Sequence, residues 1–446
     1  MKSKLLTIIL FSVFLAGTAQ GQVWKYALEA VDYSLVRTVD SATTLMYVQK
    51  SATEAWFVLR EDALNSTLAV PLPVGCQVRD MRVDNGMAYF CGTFLGYEGV
   101  FGRFKIVSVF HAGAGIEFHH CYRGLYDYVY ATDFKRLKLY EDGGVVCLAM
   151  VGETLFGYTN VTLSTTIASA TPTGGGGWTV EYYVNKGNPI RFTDVAVMDD
   201  CIVGVGCDTV GVGCYLKPFW RTSAFVQYPT TPTVMYRLNA TAPVGDVLAA
   251  RLDTDMLGLV QYDNMASGVT VDLHRVLFFT PGVPDAVVKS QVFDCGISPV
   301  GAAWTLREFA VGNQLEAFVL AHAPCPVTGV AGLHDWVMRF DTPPVATPVP
   351  LHMLRPVSGS LFHSLDLDHS LTLPRLSGME PSLIETGALG YEGTPCREHH
   401  VMAAAPAGPM LSTVTVDDGT AAATISTFLY AAPVEAIQRK LQCLDE

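Results

Sequence analysis

A strand-turn-strand unit that occurs at two places restricts the fold of this chain more than any other feature of its sequence. One copy spans residues 80–104, and the second begins at Asp194. Gly92 and Gly206 each follow the first residue of their copy by 12 positions, so the copies share their spacing as well as their pattern. The dipeptide Asn85-Gly86 is the preferred sequence of a two-residue hairpin turn. The sequence therefore predicts an internal repeat of short antiparallel strands.

Five weaker copies extend the repeat over most of the chain. The seven units begin at Val36, Asp80, Arg136, Asp194, Ala249, Glu308 and Ser364, with separations of 44 to 59 residues. Three positions into each unit stands a branched aliphatic residue: Val39, Val83, Leu139, Val197, Leu252, Val311 and Leu367. A repeat of about 40 to 60 residues with three or four short strands is typical of β-propeller blades. The predicted fold class is all-β, a single β-propeller of about seven four-stranded antiparallel blades, with eight blades as the alternative.

The apolar character of whole strands supports this arrangement. Residues 87–91 and 201–205 are apolar at almost every position, whereas a strand with one solvated face would alternate. A blade packs one face on the preceding blade and the other on the following blade. Both of its faces therefore need apolar residues.

The C-terminal part of the chain contains further predicted strands at 400–405, 410–416 and 422–430. They form either an eighth short blade or the strands that close the ring against 23–30, and closure removes exposed strand edges. Residues 434–441 are the one amphipathic stretch with helical periodicity. The predicted organisation is a signal peptide over 1–21, the β-propeller over 22–433 and a short C-terminal tail over 434–446.

The first residues have the composition of an export signal. Lys2 and Lys4 precede an apolar run over 5–16, and Ala19-Gln20-Gly21 is a small-residue cleavage site. The apolar run is shorter than the roughly 20 residues that a membrane-spanning helix needs. No later segment offers about 18 consecutive apolar residues, so we expect no membrane span in the mature chain. The predicted location is the periplasm or the cell surface.

Charge and composition disfavour some classes of partner. The net charge is −13 and no basic cluster offsets it, which argues against nucleic acid because phosphate binding needs Lys and Arg. Charged residues make up 16% of the chain, below the roughly 25% of typical soluble domains, while apolar residues reach 50%. Such a chain buries much of its surface, and its 40 glycines suit frequent turns.

The 11 cysteines give neither a full disulfide framework nor a metal motif. Their odd number leaves at least one unpaired, and no two stand at the C-x-x-C spacing of zinc ribbons or redox sites. Cys207 and Cys214 flank a loop and could form a disulfide between neighbouring strands if their Cα atoms approach within about 7 Å. We predict no metal and no cofactor.

No motif in the chain indicates catalysis. There is no Gly-x-Ser-x-Gly nucleophile motif, and acidic pairs recur at the turn position of the unit, which favours solvated turns over calcium ligation or glycoside hydrolysis. These pairs are Asp199-Asp200, Asp253 with Asp255, and Asp366 with Asp368. The neighbours His119-His120 make a poor metal chelate because adjacent strand residues point to opposite faces. We therefore predict no catalytic residue.

An aromatic group after the glycine-rich loop 174–177 is the candidate ligand site. Trp178, Tyr182 and Tyr183 could present a flat platform to a sugar or a peptide. Packing of an outer strand is the alternative role for the same rings.

The unit resembles the degenerate blades of secreted bacterial β-propeller proteins with WD40-like or YVTN-like repeats. The resemblance lies in residues 80–83 followed by 87–92, and in 194–197 followed by 201–206. The Trp-Asp ends of WD40 blades and the aspartate box of sialidase-type propellers are missing. The resemblance implies a scaffold for binding. We predict an exported, non-catalytic scaffold for an unknown protein or glycan ligand, with a polysaccharide-active hydrolase or lyase, or a structural or adhesion module, as alternatives.

Overall fold

The computed structural model describes the chain in segments between residues 22 and 442. These are 22–26, 33–51, 53–95, 98–124, 129–156, 162–173, 177–185, 190–199, 201–208, 213–220, 233–238, 247–265, 268–278, 286–294, 305–312, 317–324, 333–340, 350–354, 362–367, 374–378, 382–385, 397–401, 411–416, 418–437 and 439–442. The predicted signal peptide over 1–21 lies outside them. The chain is all-β in its described part, as predicted, with one helix.

The described part of the chain contains 33 strands and one helix. Strands β1 to β9 are Gln22–Tyr26, Tyr33–Asp40, Thr43–Gln49, Ala55–Glu61, Ser66–Pro71, Cys76–Asp84, Met87–Phe94, Glu98–Lys105 and Ile116–Gly124, and helix α1, Ile106–Ala112, connects β8 to β9. Strands β10 to β21 are Val129–Asp142, Val145–Phe156, Thr162–Pro172, Trp178–Asn185, Ile190–Val197, Cys201–Asp208, Cys214–Trp220, Thr233–Leu238, Leu248–Asp253, Met256–Met265, Gly268–Leu277 and Ala286–Asp294. Strands β22 to β33 are Thr305–Val311, Ala317–Pro324, Leu333–Phe340, Pro350–Leu354, Phe362–Leu367, Pro374–Gly378, Ser382–Glu385, Arg397–Val401, Leu411–Val416, Asp418–Tyr430, Glu435–Ala436 and Arg439–Gln442.

Successive strands pair as antiparallel meanders, which we number sheets 1 to 7. In order they contain β2–β5, β6–β9, β10–β13, β14–β17, β18–β21, β22–β24 and β26–β28. The N-terminal strand β1 pairs with β28 and so adds a fourth strand to sheet 7. The first strands β2, β6, β10, β14, β18, β22 and β26 contact one another in that order, and β26 also contacts β2.

Each of the better described sheets has two apolar faces, and the faces belong to different cores. On β7, Ala88 and Phe90 pack with residues of sheet 1, whereas Tyr89 and Cys91 pack with residues of sheet 3. On β15, the alternate residues Cys201, Val203 and Val205 pack toward sheet 5, and Ile202 packs toward sheet 3. This alternation explains why both runs are apolar at nearly every position.

A β-bulge explains the glycine that follows the unit start by 12 residues. The pairing of β6 with β7 is irregular between Val78 and Asp80, and Gly92 stands opposite Val78. A Cβ on Gly92 would lie 1.9 Å from the Gln77 carbonyl oxygen, and one on Gly206 would lie 2.0 Å from the Arg191 carbonyl oxygen. The bulged backbone therefore occupies the space that any side chain would need. Strand β7 continues to Phe94, two residues beyond the predicted end.

The hairpin turn between these strands also has the predicted form. Asn85 has φ 47° and Gly86 has φ 72°, so both turn residues adopt the left-handed conformation that a type I′ turn requires. Beyond the turn and β7, strand β8 begins at Glu98.

The C-terminal strands β29 to β33, which we call the C-terminal belt, pair with outer strands of the other sheets. Strand β29 pairs with β25, β30 with β17, β31 with β13 and β9, β32 with β5, and β33 with β1. From β30 onward the belt thus meets sheets 4, 3, 2, 1 and 7, the reverse of their chain order. Of the predicted strands at 400–430, residues 411–416 and 418–430 therefore join sheets 4, 3 and 2, while residues 400–401 pair with β25 in a separate two-stranded sheet. Where described, none of them pairs with β1.

Residues 434–441, whose apolar residues have helical periodicity, are extended where the structure describes them. These residues pair with the edge strands β5 and β1, which satisfies their backbone groups better than a helix of two turns would. Helix α1 was not predicted. It buries Ile106, Val109 and Phe110 at helical spacing and ends at Gly113 with φ 66°. Among the described residues, no helix has the length and apolar character needed to cross a membrane.

The belt packs closely on strand β9. Phe428 of β31 stacks on Phe118 with ring centroids 5.2 Å apart, and Thr427 Oγ1 lies 2.9 Å from His119 Nδ1. His119 is completely buried, with its ring stacked on Phe101 at 4.8 Å. Burial lowers the pKa of His119 to about 4, and Arg103 adds to this effect against the opposing influence of Glu117. The ring is therefore neutral in the folded protein at neutral pH.

Replacing Gly92 by Ala should destabilise the protein by about 3 kcal/mol or more, because the clash is with a backbone carbonyl that cannot rotate away. The matched control is Gly86→Ala, where no atom lies within 4 Å of the added Cβ and only the positive φ is unfavourable, at about 1 kcal/mol. Urea unfolding of both variants measures the difference. Equal destabilisation would show that the bulge does not require the glycine.

Lowering the pH should reduce the free energy of unfolding, because His119 is neutral when the protein is folded and binds a proton more readily when it is unfolded. Because the folded-state pKa is about 4 and the ordinary value is 6.5, the unfolded chain binds the proton more tightly in that interval. Stability is therefore full above pH 6.5 and falls as the pH drops toward 4, by roughly 3 kcal/mol for this one group.

Urea unfolding of the His119→Gln variant between pH 7.5 and 4.5 should show a shallower pH dependence than the parent. His111→Gln is the matched control, because His111 is exposed on α1 beside Glu61 and should leave the slope nearly intact. An unchanged slope in His119→Gln would contradict the assignment.

Candidate functional site

Charged side chains from six of the seven first strands meet in one cluster, which we call the charged centre. Its members are Arg37, Asp80, Arg82, Arg136, Lys138, Asp194, Glu308 and Asp366. Four are cations and four are carboxylates, so the cluster is neutral when all are ionised. Sequence reasoning did not find it, because the unit start differs from copy to copy. Opposite charges inside otherwise apolar first strands were the signal that could have revealed it.

Glu308 connects sheets that are distant in the chain. Its Oε1 lies 3.2 Å from Arg136 Nη1 and 3.5 Å from Arg37 Nη2. Arg136 also donates a hydrogen bond to the carbonyl oxygen of Arg307. One carboxylate of sheet 6 thus links cations of sheets 1 and 3.

Among the members of the charged centre, Arg37 makes the most ion pairs and hydrogen bonds to other sheets. Only 3% of it is exposed, and its Nη2 lies 2.8 Å from Asp80 Oδ1. It also donates to the carbonyl oxygens of Met81 in sheet 2 and Leu365 in sheet 7. Burial alone would lower the pKa of Arg37, but Glu308, Asp80 and other carboxylates outweigh this and raise it. The guanidinium is therefore charged at every accessible pH.

Three carboxylates of the centre bind backbone N–H groups of the following sheet. Asp80 Oδ2 accepts from Leu137 N at 2.8 Å, Asp194 Oδ2 from Ala249 N at 3.0 Å, and Asp366 Oδ2 from Thr38 N at 2.6 Å. These bonds join sheet 2 to sheet 3, sheet 4 to sheet 5, and sheet 7 to sheet 1. A charge-assisted bond of this kind is stronger than a neutral one, particularly when it is shielded from water.

Protonation equilibria in the centre follow from this pairing. Burial would raise the pKa of Asp80, but Arg82, Arg37 and Arg136 lower it to about 2. Burial raises the pKa of Asp366, while Arg37 and the Thr38 N–H oppose the shift. An Asp80 that stays ionised near neutral pH cannot donate a proton, so it is unsuited to general acid catalysis.

Lys138 differs from the other members of the centre. Among the described residues it makes no hydrogen bond and no ion pair. It is only partly buried from solvent, yet protein atoms surround it closely enough for burial to lower its pKa, and Arg82 lowers it further. Asp194, Asp80 and Glu308 oppose this lowering.

The predicted aromatic site is only partly described. Trp178 is 7% exposed and lies in the core between sheets 2 and 3, with its ring 5.3 Å from Phe101 and 5.1 Å from the Arg103 guanidinium. This position favours the packing role over a surface platform. The side chains of Tyr182 and Tyr183 lie outside the described ones, so their ligand role stays a prediction.

The predicted cysteine pair lies on adjacent strands. Cys207 and Cys214 stand directly opposite each other in the pairing of β15 with β16, and both are buried. The strand pairing thus brings them near one another, and the disulfide stays a prediction.

The described acidic residues of the turns have structural partners. Arg251 binds both carboxylate oxygens of Asp199, at 2.6 and 2.9 Å, and Asp253 Oδ1 accepts from Thr254 N at 2.7 Å. Asp200 and Asp368 lie outside the described residues. Within the described part of the chain, no group of three or more His, Cys, Asp and Glu side chains could hold a metal ion.

Replacing Arg37 by Met should lower the free energy of unfolding by about 3 kcal/mol or more, because Asp80 and Glu308 would lose a buried partner. Arg251→Met is the matched control: it breaks an ion pair of similar geometry that is exposed, so it should cost less than about 1 kcal/mol. Chemical denaturation measures both. Similar losses in the two variants would mean that the buried pairing does not support the fold.

Comparison of the chain with family models, with curated proteins and with solved structures gives no match in any of the three.

Proposed function

We propose that the chain is an exported β-propeller of seven blades that binds a ligand or a partner protein and does not catalyse a reaction. The observation that carries this proposal is the order of contacts among the seven first strands, which returns from β26 to β2. The Asp366–Thr38 bond joins the same two sheets. A ring of this kind is rigid and presents a central face on which ligands can bind.

Two further features support a propeller. The alternate packing of β7 and β15 between neighbouring sheets is the packing that blades need. The fourth strand of sheet 7 comes from the N-terminus, so this sheet combines strands from both ends of the chain, as closure of a propeller does.

A binding role fits the chemistry of the centre better than catalysis does. The carboxylates of Asp80, Asp194 and Asp366 accept backbone hydrogen bonds, so they hold the sheets in place. A glycoside hydrolase needs one protonated carboxyl and one ionised carboxylate across the sugar. Burial raises the pKa of Asp366 above its ordinary value, which is the observation in favour of the polysaccharide-active alternative.

A screen with the mature chain, residues 22–446, tests the proposal. The protein is incubated with arrays of glycans and of extended peptides, and each bound compound is then analysed by mass spectrometry for cleavage. We expect saturable binding with the ligand recovered intact. Cleavage that is lost in Asp366→Asn would overturn the proposal in favour of the hydrolase or lyase, and the absence of binding to every member would also count against it.

A further inference from the structure

We propose that Gln261, Asp272 and His274 bind one divalent transition-metal ion in the interior between sheets 4 and 5. None of the three residues belongs to the charged centre, and such a site is separate from the binding function proposed above.

The buried amide of Gln261 is the observation that points to a ligand. Its side chain is completely buried, and in the described part of the chain neither Oε1 nor Nε2 makes a hydrogen bond. A buried amide without hydrogen bonds is destabilising, and such groups are rare in folded proteins. A bound group that contacts the amide oxygen would offset part of this cost.

Strand pairing places Asp272 and His274 next to this amide. Gln261 of β19 stands directly opposite Asp272 of β20, and side chains at paired positions lie on one face with Cβ atoms about 4.5 to 5.5 Å apart. His274 follows Asp272 by two residues on the same strand, so it shares that face. His274 Nε2 lies 4.0 Å from Asp272 Oδ2. The three side chains therefore form one polar group on one face of sheet 5.

This polar group interrupts the apolar core between sheets 4 and 5. Leu259 stands opposite His274, Val276 follows His274 by two residues, and both belong to that core. Asp272 is 6% exposed and His274 is 3% exposed. The atoms Asp272 Oδ1 and His274 Nε2 are buried and, like the Gln261 amide, make no hydrogen bond within the described residues. Each of the three residues can therefore offer one buried atom to an ion without giving up a hydrogen bond.

The chemistry of these atoms suits a transition-metal ion. Imidazole nitrogen and carboxylate oxygen are ordinary ligands of zinc, and an amide oxygen is a further neutral donor. Two ligands of one such ion stand about 3 to 3.5 Å apart. The approach of Asp272 to His274 at 4.0 Å is thus close to what an ion between them requires.

Gln261 completes the ligand set because no third His, Cys, Asp or Glu joins the pair within the described part of the chain. A third ligand of this type also explains why the sequence contained no recognisable metal motif. The competing occupant is an ordered water, which needs two to four polar partners and would find them here. A sugar or a peptide is too large for a group that is so nearly closed to solvent.

The test uses the mature chain, residues 22–446, after removal of metals with a chelator. Calorimetric titration with Zn²⁺ should show one bound ion per chain. Co²⁺ should compete with Zn²⁺ and give the visible absorption of an ion with nitrogen and oxygen ligands. Excess Mg²⁺ should not displace Zn²⁺, because Mg²⁺ prefers six oxygen ligands. If the parent protein binds no Zn²⁺, the proposal is overturned and water is the occupant, and this result needs no variant to fold.

Variants locate the ion. His274→Gln and Gln261→Met should each weaken Zn²⁺ binding by about 100-fold, since loss of a residue that merely orients a ligand already costs about 10- to 100-fold. The matched control is His111→Gln, because His111 and Glu61 form another histidine–carboxylate pair, at 2.9 Å on the surface. This control should leave the affinity unchanged.

Urea unfolding separates loss of the ion from loss of the fold. Without metal, Gln261→Met should be at least as stable as the parent, because an apolar side chain of similar length replaces an unsatisfied amide. Saturating Zn²⁺ should then stabilise the parent and not the variant. Equal affinity for Zn²⁺ in the parent and Gln261→Met, or loss of binding in His111→Gln, would place the ion elsewhere and overturn the proposal.

Discussion

The structure depends on charges buried where the first strands meet. Moving a carboxylate or a guanidinium out of water costs desolvation free energy. This cost is offset only when every oxygen and N–H of the group finds a partner. Arg37 meets this condition with two carboxylates and backbone oxygens of its neighbours. Three aspartates meet it with backbone N–H groups. Because these partners belong to different sheets, satisfying the charges fixes how the sheets are placed relative to one another.

Apolar packing supplies most of the cohesion between sheets, but it specifies their order less strictly. The cores on either side of β7 are rich in interchangeable aromatic and aliphatic side chains. Such faces would tolerate other neighbours, whereas the bond from Asp366 to Thr38 N forms with one partner, 328 residues away in the chain. The C-terminal belt adds a second constraint, since its strands cover outer sheet edges that would otherwise be free to pair with another chain.

Local features of the fold could be predicted from the sequence because their causes are local. The Asn85-Gly86 turn follows from the φ values that these residues tolerate, and Gly92 is required by a bulge at residues 78–80, nearby in the chain. The aliphatic column was also informative: Val83 packs against the core between sheets 1 and 2.

The charged centre and the belt could not be predicted, because their partners are distant and often lie in the backbone. The Asp80 carboxylate accepts a hydrogen bond from the backbone N–H of Leu137, and this contact places no requirement on the side chain at residue 137. The pairing of the C-terminal belt could not be predicted from the sequence for the same reason, because strand pairing at an outer sheet edge uses main-chain groups that nearly every residue has.

Hydrogen exchange at the Thr38 amide tests the central claim most directly, because this amide reports the contact between the first and last sheets. The account predicts slow exchange in the parent protein. In Asp366→Ala the Thr38 amide should exchange about 100-fold faster, while the Leu137 amide, bound by Asp80, stays protected. An unprotected Thr38 amide in the parent, or one that Asp366→Ala leaves unchanged, would contradict the joining of the first and last sheets by a buried carboxylate.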